Sequence, residues 1–243
     1  MISIENLSKS FGALQVLDDI SFRVEKGEFL VILGSSGAGK STLLRCINGL
    51  NDVTAGKVVI AGKEITSKNR KDIRKKAGFI FQSSNIVGNM SVLKNVMTGT
   101  LGSKHPINIF FSKEDKRAAE EALEVVGLKD KLYERADSLS GGEKQRVAIA
   151  RVLVQKPEII LADEPVASLD PVTGHGIMEL LFNINQSRNT TVVCNLHQLQ
   201  YAEKYGKRII GIKEGKICFD KKPEKIIKED YKNIYGENVE IIA

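Results

Sequence analysis

Apolar positions in the first part of the chain follow strand-like periods. Ile20, Phe22 and Val24 alternate with polar neighbours, which predicts a half-buried antiparallel strand. Residues 28–33 form a short continuous apolar run, which predicts a buried strand, and a glycine-rich loop follows it. The pattern then changes to the helical period, with apolar positions at Leu43, Leu44, Ile47 and Leu50.

Helical periodicity dominates from about residue 88 to residue 157. Ser112, with Asp115 three residues later, predicts a capped helix start, and Gly127 ends that helix. A second helix is predicted from residue 141 to residue 156, where Pro157 stops it. Strand-like segments flank this helical block at residues 58–65 (with a turn at 61–63), 78–81, 158–162, 190–194, 208–212 and 216–219.

Strands that alternate with helices predict an α/β fold, with a mainly parallel sheet covered by helices on both faces. We expect a single domain over residues 1–243. Its α/β core spans residues 1–87 and 158–243 and begins with an antiparallel β portion, and a helical subdomain (88–157) is inserted into it. Ligands of such sheets bind at the carboxyl ends of the strands, so polar motifs there are candidate sites.

The composition narrows the class of protein. Of the 243 residues, 42% are apolar and 27% are charged with both signs interspersed, which excludes a disordered chain. The longest apolar runs are strand-length, well short of the roughly 20 residues of a membrane helix. The N-terminus lacks the pattern of a signal peptide, which predicts a cytosolic chain. The cysteines, Cys46, Cys194 and Cys218, lie in apolar contexts without a CxxC pair, which indicates small buried thiols.

The net charge of +6 permits contact with nucleic acid or an anionic membrane surface. Residues 68–76 hold six bases and one acid, while residues 213–232 hold seven lysines and five acids. Neither stretch interleaves aromatic residues as a single-strand binder would. A solvated surface is therefore favoured over a phosphate-tracking patch, and we expect no nucleic-acid partner.

Residues 34–41 match the complete phosphate-loop pattern G-x-x-x-x-G-K-[ST], between a predicted strand and a predicted helix. The glycines let successive backbone N–H groups point at phosphate oxygens, and the helix N-terminus adds its dipole. Lys40 is placed to pair with the β- and γ-phosphates, and the Ser41 hydroxyl to hold Mg²⁺. A plain glycine-rich turn is the alternative. The predicted nucleotide-binding residues are Gly34, Ser35, Ser36, Gly37, Ala38, Gly39, Lys40, Ser41 and Thr42.

Two adjacent carboxylates, Asp163 and Glu164, follow the buried strand at 158–162. Charges at the end of a buried strand are costly unless a cation or a reaction needs them. Because side chains of a strand alternate between its faces, we expect the two to diverge. Asp163 would then reach the Mg²⁺ shell, and Glu164 would act as the general base for water. The alternative is an acidic residue that stabilises a helix N-terminus.

Residues 139–146 read Leu-Ser-Gly-Gly-Glu-Lys-Gln-Arg and open the second predicted helix. Alone, Ser140 would be an N-cap followed by the flexible Gly141 and Gly142. Together with the phosphate loop upstream and the Asp–Glu pair downstream, this segment resembles the signature motif of the ATP-binding cassette (ABC) ATPases. The resemblance covers residues 2 to about 224 and implies a P-loop NTPase (RecA-like) core that uses ATP and Mg²⁺.

The resemblance also implies roles for isolated residues. Gln82 matches the family's glutamine that senses Mg²⁺ and the attacking water, and His197 matches the histidine that contacts the γ-phosphate. Phe11 matches the aromatic residue that stacks on adenine, and Asp170 lies in the loop that crosses between subunits. Taken alone, Gln82 is interpreted as an exposed strand end and His197 as structural. For Phe11, a place in the core is as good an interpretation as contact with adenine. Asp170 is also a good N-cap, and the two roles are compatible.

One phosphate loop and one signature segment occur in the chain. In the family, the signature of one subunit completes the nucleotide site of the other, so the resemblance implies a head-to-tail homodimer with ATP at its interface. Ser140, Gly141 and Gly142 would then face the γ-phosphate bound by the partner. Glu143 stands where the family frequently has Gln, which leaves the coupling across the dimer open.

The resemblance further implies two integral-membrane permease subunits and an extracytoplasmic solute-binding protein as partners. The chain would then lie on the cytoplasmic face of the cell membrane as a peripheral subunit, and residues 83–102 would dock on the permease. A finer resemblance is to importer ATPases for phosphonates or related phosphorus oxyanions. It rests on residues 85–87, 135–139, 165–171 and 195–198.

Two other classes stay open at this point: the ABC ATPase of a lipoprotein-release or efflux system, and a non-transport ABC ATPase acting on nucleic acid or ribosomes. The latter generally carries two cassettes in one chain or a long coiled-coil insertion, and this sequence has neither. A phosphate-loop kinase or GTPase is excluded, because the signature segment would have no role there and the guanine motif Asn-Lys-x-Asp is absent.

Overall fold

The computed structural model describes residues 1–103 and 110–236, which form two β-sheets and their flanking helices. The strands are β1 (Ile2–Phe11), β2 (Leu14–Val24), β3 (Phe29–Leu33), β4 (Ala55–Ile60), β5 (Lys63–Glu64), β6 (Ala77–Ile80), β7 (Ile159–Asp163), β8 (Thr191–Leu196), β9 (Arg208–Lys213) and β10 (Lys216–Lys221). The α-helices are α1 (Lys40–Ile47), α2 (Arg70–Lys76), α3 (Val92–Met97), α4 (Lys113–Val125), α5 (Gly141–Leu153), α6 (Pro171–Arg188), α7 (Leu199–Tyr205) and α8 (Lys228–Tyr235).

The central sheet has six strands in the order β10-β9-β3-β8-β7-β6. All neighbours pair in parallel except β10, which pairs antiparallel with β9. The register places Leu33 beside Leu196 and Asp163 beside Asn195, so the segments that follow β3, β7 and β8 meet at one edge. The predicted α/β fold with a mainly parallel sheet is confirmed.

The second sheet is antiparallel, in the order β2-β1-β4-β5. In β2, the side chains of Ile20, Phe22 and Val24 are buried and those between them are exposed, as the alternation predicts. Every residue of β3 is buried because this strand is covered on both faces. Leu30 and Ile32 pack toward the antiparallel sheet, and the other β3 residues pack toward the helices on the opposite face.

Helices α3, α4 and α5 follow the first part of the core and pack on one another through a shared apolar cluster. Ser112 caps α4 in a full capping box: its Oγ accepts the Asp115 N–H at 3.2 Å, and Asp115 accepts the Ser112 N–H at 2.6 Å. Gly127, with φ +72°, follows the end of this helix. The predicted start and end of α4 are confirmed. The division into 1–87, 88–157 and 158–243 stays a prediction, and its residues 104–109 and 237–243 lie outside the described residues.

Two helix ends and one cysteine differ from the sequence prediction. Helix α1 ends at Ile47 rather than near Leu50, because Gly49 adopts a left-handed conformation (φ +67°), and Leu50 is 38% exposed. Helix α5 ends at Leu153, before Lys156 takes a positive φ of 50°. Cys46 and Cys194 are buried as predicted, but Cys218 is exposed.

The basic stretch at 68–76 contains helix α2, in which Ile73 is the buried residue. The other residues of this helix are exposed or half-buried, as expected of a solvated face, and the preference for such a face over a phosphate-binding patch stays a prediction. In the part of the chain that the structure describes, no helix has the length and apolar character needed to span a membrane.

Candidate nucleotide-binding site

The phosphate loop lies between β3 and α1, at the carboxyl end of the central strand. Gly39 has φ +101°, and a Cβ there would lie 2.8 Å from Leu17 Cδ2 and 2.9 Å from the Val16 carbonyl oxygen, so only glycine fits. Within residues 1–103 and 110–236, the backbone N–H groups of Ser36, Gly37 and Gly39 donate no hydrogen bond. The loop therefore presents free donors next to the N-terminus of α1, which is a favourable environment for an anion.

Lys40 supplies a buried cation at the base of this loop and is only 4% exposed. Its Nζ donates to the carbonyls of Gly34 at 2.9 Å and Ser35 at 3.1 Å, and it lies 3.8 Å from Oε1 of Glu164. Burial lowers the pKa of Lys40, and the negative charges of Glu164 and Asp163 partly oppose this effect. An ammonium group that has lost its hydration in this way is poised to pair with phosphate oxygens.

Asp163 is the last residue of β7 and is 3% exposed. Its Oδ1 accepts a hydrogen bond from Ser41 Oγ at 2.7 Å and another from Asn195 Nδ2 at 2.9 Å. The buried Oδ1 of Asn195 has no partner among the described residues. A serine hydroxyl beside one carboxylate, close to a phosphate loop, is the hard oxygen set that Mg²⁺ prefers, and the unpartnered amide oxygen adds a further acceptor.

Glu164 lies beyond the strand and turns away from its neighbour. Its φ of +49° is in the left-handed region, which costs a non-glycine residue about 1–3 kcal/mol. Oε1 of Glu164 lies 2.6 Å from Nε2 of His197, whereas Asp163 contacts Ser41 and Asn195. The two adjacent carboxylates therefore have different partners, and a strained backbone accompanies this divergence.

Two residues near this site were missed in the sequence. Asn195 is a buried polar residue that follows the apolar run at residues 192–194 in β8, and that contrast is the signal in the sequence. Tyr235 of α8 lies beyond residue 224, where the family resemblance ends. Its hydroxyl donates to the His197 carbonyl at 3.4 Å, and burial raises the pKa of Tyr235 to about 12.

The signature segment starts helix α5 and forms a capping box of its own. Ser140 Oγ accepts the Glu143 N–H at 3.3 Å, and Oε2 of Glu143 accepts the Ser140 N–H at 2.9 Å. Gly142 is buried against α6, where a Cβ would overlap the Thr173 methyl group. Within the described chain, no hydrogen bond or ion pair joins Ser140, Gly141 or Gly142 to the phosphate loop. The signature segment therefore presents a second helix N-terminus apart from the first.

The remaining predicted residues are dispersed. Phe11 is 48% exposed, with Lys9 Nζ 4.7 Å from its ring centroid, so the alternative that it belongs to the core is wrong. Asp170 caps α6 by accepting the N–H groups of Val172 at 3.1 Å and Thr173 at 3.0 Å, which confirms it as an N-cap. Gln82 is exposed just beyond β6. The structure thus brings together Lys40, Ser41, Asp163, Glu164 and His197, and leaves Phe11, Gln82, Ser140 and Asp170 outside that cluster.

A phosphate loop after β3 and an Asp–Glu pair at the end of β7, two strands away in the same parallel sheet, define a P-loop nucleotide-binding ATPase. The family model described as "ABC transporter" matches residues 17–167, which is more than half of the chain. The chain belongs to the ABC transporter family, as an ATP-binding subunit whose hydrolysis of ATP is coupled to transport.

Relatives of known name cover nearly the whole chain. The phosphonates import ATP-binding protein PhnC of Lactobacillus johnsonii is 51% identical over 244 residues, covering 97% of this chain and 96% of that protein. The protein of the same name from Bdellovibrio bacteriovorus is 45% identical over 251 residues, covering 100% and 96%.

Solved structures of similar fold belong to the same class. A dimeric bacterial ABC transporter cassette superposes with a TM-score of 0.82 at 34% identity, covering 92% of this chain and 99% of that one. A dimeric post-hydrolysis cassette bound to ADP and Pi gives a TM-score of 0.81 at 34% identity, with the same coverage. The predicted family, fold and enzyme class are confirmed by these comparisons.

Proposed function

We propose that the chain is the ATP-hydrolysing subunit of an importer for phosphonates or related phosphorus oxyanions. The observation that carries this proposal is the identity of about half the residues, over nearly full length, to ATP-binding proteins named for phosphonate import. The ATPase subunit does not need to touch the solute, so the substrate class rests on this likeness, while the enzymatic role rests on the site.

The phosphates of ATP would be bound by the loop and by Lys40. Within the described residues the N–H groups of Ser36, Gly37 and Gly39 donate no hydrogen bond, and the buried ammonium of Lys40 contacts carbonyls of the same loop, which supports binding of the β- and γ-phosphates there. Gly34, Ser35, Ala38 and Thr42 complete the loop and the first turn of α1. The exposed ring of Phe11 is free to stack on the adenine base.

Mg²⁺ would be held by Ser41 and Asp163, whose oxygens already lie 2.7 Å apart, with Gln82 as a third ligand from its exposed loop. When bound, the ion neutralises phosphate charge that would otherwise repel the attacking water. Asn195 keeps the Asp163 carboxylate in a fixed orientation through its hydrogen bond of 2.9 Å.

Glu164 would act as the general base. Its carboxylate takes a proton from the water that attacks the γ-phosphate, and it is held beside Lys40 and His197 at the edge of the sheet. His197 lies 3.5 Å from Lys40 Nζ, which supports a position next to the γ-phosphate for its imidazole. Gln82 would orient the same water from the loop after β6.

Two copies of the chain would be needed for hydrolysis. Ser140, Gly141 and Gly142 open a helix whose N-terminus is separate from the phosphate loop, and two solved cassettes of similar fold are described as dimeric. A head-to-tail homodimer places this helix N-terminus on the γ-phosphate held by the other copy, and it places Asp170 at the interface. ATP then joins the two subunits, and its hydrolysis releases them.

A permease would dock in a groove beside the loop that follows Gln82. The groove has a volume of 400 Å³, and its lining includes Phe79, Phe81, Asn85, Thr98 and Arg151. Asn85 and Thr98 belong to the predicted docking residues 83–102, which supports contact with a permease there. The chain would then be a peripheral subunit at the cytoplasmic face of the membrane. Two permease subunits and an extracytoplasmic solute-binding protein complete the proposed importer.

Solute uptake by cells that lack this chain tests the proposal. We expect loss of growth on a phosphonate as sole phosphorus source, restoration by the wild-type chain, and no restoration by Glu164→Gln. Parallel uptake of phosphite and phosphate esters shows which phosphorus oxyanion is carried. Unchanged uptake of all of these solutes would overturn the assignment, and co-purification with nucleic acid instead of a membrane protein would favour the non-transport class.

A further inference from the structure

A lysine outside the signature segment contacts it directly. Lys131 lies in a 3-10 turn (Lys129–Lys131) that precedes α5 in the chain, and its Nζ is 2.7 Å from Oε1 of Glu143. The other oxygen of that carboxylate, Oε2, accepts the N–H of Ser140 at 2.9 Å and its hydroxyl at 2.8 Å. Lys131, Glu143 and Ser140 thus form one chain of contacts that ends at the signature serine.

The hydroxyl of Ser140 has a single proton, which in this structure points to Glu143. A γ-phosphate in the partner's site would need that same proton, so the carboxylate competes with the nucleotide for it. Glu143 also adds a negative charge next to the position of the incoming phosphate. A glutamine at this position would compete less for the proton, because it carries no charge. Glu143 therefore weakens the binding of the phosphate to Ser140, and the contact with Lys131 can offset this effect.

We propose that Lys131 is a positioning residue for the signature site. By pairing with Glu143 it neutralises that carboxylate beside Ser140, so that the serine can bind the partner's γ-phosphate. The proposal rests on the proposed function, since it requires the ATP-joined homodimer. A glutamate is charged at neutral pH even at its ordinary pKa, and Lys131 together with the Ser140 donors lowers the pKa of Glu143 further, to about 2.

The same 3-10 turn contains a matched control. Lys129 is two residues away and pairs with Glu124 at 2.9 Å, without contact to the signature segment. Replacing either lysine by alanine removes one positive charge and one close ion pair, and Lys131→Ala also removes a longer contact of 3.8 Å with Glu134. The two variants therefore differ mainly in whether Glu143 loses its partner.

The experiment is a double-mutant cycle on dimer formation. In a Glu164→Gln parent, the ATP concentration that gives half-maximal dimer is measured with Mg²⁺ by light scattering, for Lys131→Ala, Glu143→Gln and the double variant. We expect Lys131→Ala to raise that concentration by roughly two- to fivefold, the range for a partly exposed ion pair. In the Glu143→Gln background the same change should have no effect. Lys131→Arg should restore the parent value, and Lys129→Ala should leave it unchanged.

Each outcome decides the proposal. If Lys131→Ala raises the half-maximal ATP concentration equally in both backgrounds, the proposal is overturned, because Lys131 would then act without Glu143. An unchanged ATP concentration in the Glu164→Gln parent would overturn it too. A parent that stays monomeric with ATP and Mg²⁺ would refute the homodimer itself, and this proposal with it. A parent that dimerises without coupling between the two residues refutes the role of Lys131 alone.

Discussion

The Nε2 atom of His197 lies 2.6 Å from Oε1 of Glu164, although the two residues are 33 apart in the chain. The register of β7 and β8 brings them together, because Asp163 pairs with Asn195 and the chain leaves both strands at the same edge. The strand register and this contact together hold in place the carboxylate that we propose as the base.

Replacing Glu164 by glutamine should preserve ATP binding and abolish turnover, because the amide keeps the shape of the side chain but cannot accept the proton of the water. Because ATP then stays bound without hydrolysis, the dimer should accumulate. Gel filtration with ATP and a phosphate-release assay measure the two effects. Normal hydrolysis by this variant would place the base elsewhere.

Replacing Lys40 by alanine should weaken ATP binding by roughly 10- to 100-fold, since hydrogen bonds to a charged group contribute about 1.5–3 kcal/mol. Fluorescent-nucleotide titration gives the affinity. The exposed Lys63 on β5 provides a control, because Lys63→Ala removes the same charge away from the loop. Equal affinities for the wild type and Lys40→Ala would contradict the role of Lys40.

Replacing Ser140 by arginine should block hydrolysis and leave nucleotide binding to the monomer intact, because the bulky side chain obstructs only the surface offered to the partner. Ser112→Arg is a close control: Ser112 is also exposed and also caps a helix through a capping box. Both variants lose a cap that contributes about 1 kcal/mol. If both hydrolyse ATP equally, the signature is not part of the site.

Arg151 should be important for stability, because its guanidinium donates to the carbonyls of Ser84 and Asn85, both at 2.7 Å. Burial lowers the pKa of Arg151, and the two carbonyls offset part of the cost of removing its charge from water. Arg151→Met should reduce the free energy of unfolding by about 1–3 kcal/mol, the cost of polar groups left unpaired. Urea unfolding measures the change.

The control for Arg151 is Arg117→Met, at an exposed position on α4 that pairs with Glu121. A surface change of this kind is usually within about 0.5 kcal/mol of the wild type. Equal destabilisation by the two variants would show that the contacts to residues 84 and 85 do not stabilise the fold.

Acid should destabilise the wild type through Glu143, whose pKa is lowered from 4.5 to about 2 by Lys131 and by the Ser140 donors. A carboxyl whose pKa is lowered in the folded state contributes stability at pH values above its ordinary pKa. This contribution is lost as the pH falls toward 2. The stability difference between wild type and Glu143→Gln should therefore be largest above pH 4.5 and shrink toward pH 2. Urea midpoints at a series of pH values measure it, and a constant difference would contradict the lowered pKa.

Periodicity and turn chemistry predicted much of the fold. The continuous apolar run of β3, the alternation of β2 and the Ser112 cap each have a local physical cause, and each is present in the structure. The end of α1 was harder to predict, because Leu50 continues the apolar period while Gly49 ends the helix. The exposure of Cys218 was also missed. It lies on β10, the outer strand of the sheet, and the apolar residues beside it in the sequence do not reveal that position.

The sequence predicted those residues of the candidate site that belong to its motifs. Lys40, Ser41, Asp163, Glu164 and His197 lie together as the family resemblance implies. The contact of Asn195 with Asp163 depends on the register of β7 and β8, which a single sequence does not encode locally. Tyr235 reaches the site from the last described helix, so only the tertiary fold could reveal it.

The overlap that a Cβ at Gly142 would have with Thr173 shows that α5 and α6 meet there without a gap. The backbone N–H of the same Thr173 is bound by Asp170. Closely packed helices transmit displacement to one another instead of absorbing it. A push on the loop around Asp170 would consequently shift the start of α5 as well, so the two segments that the proposed homodimer brings to its interface would move together as one rigid unit.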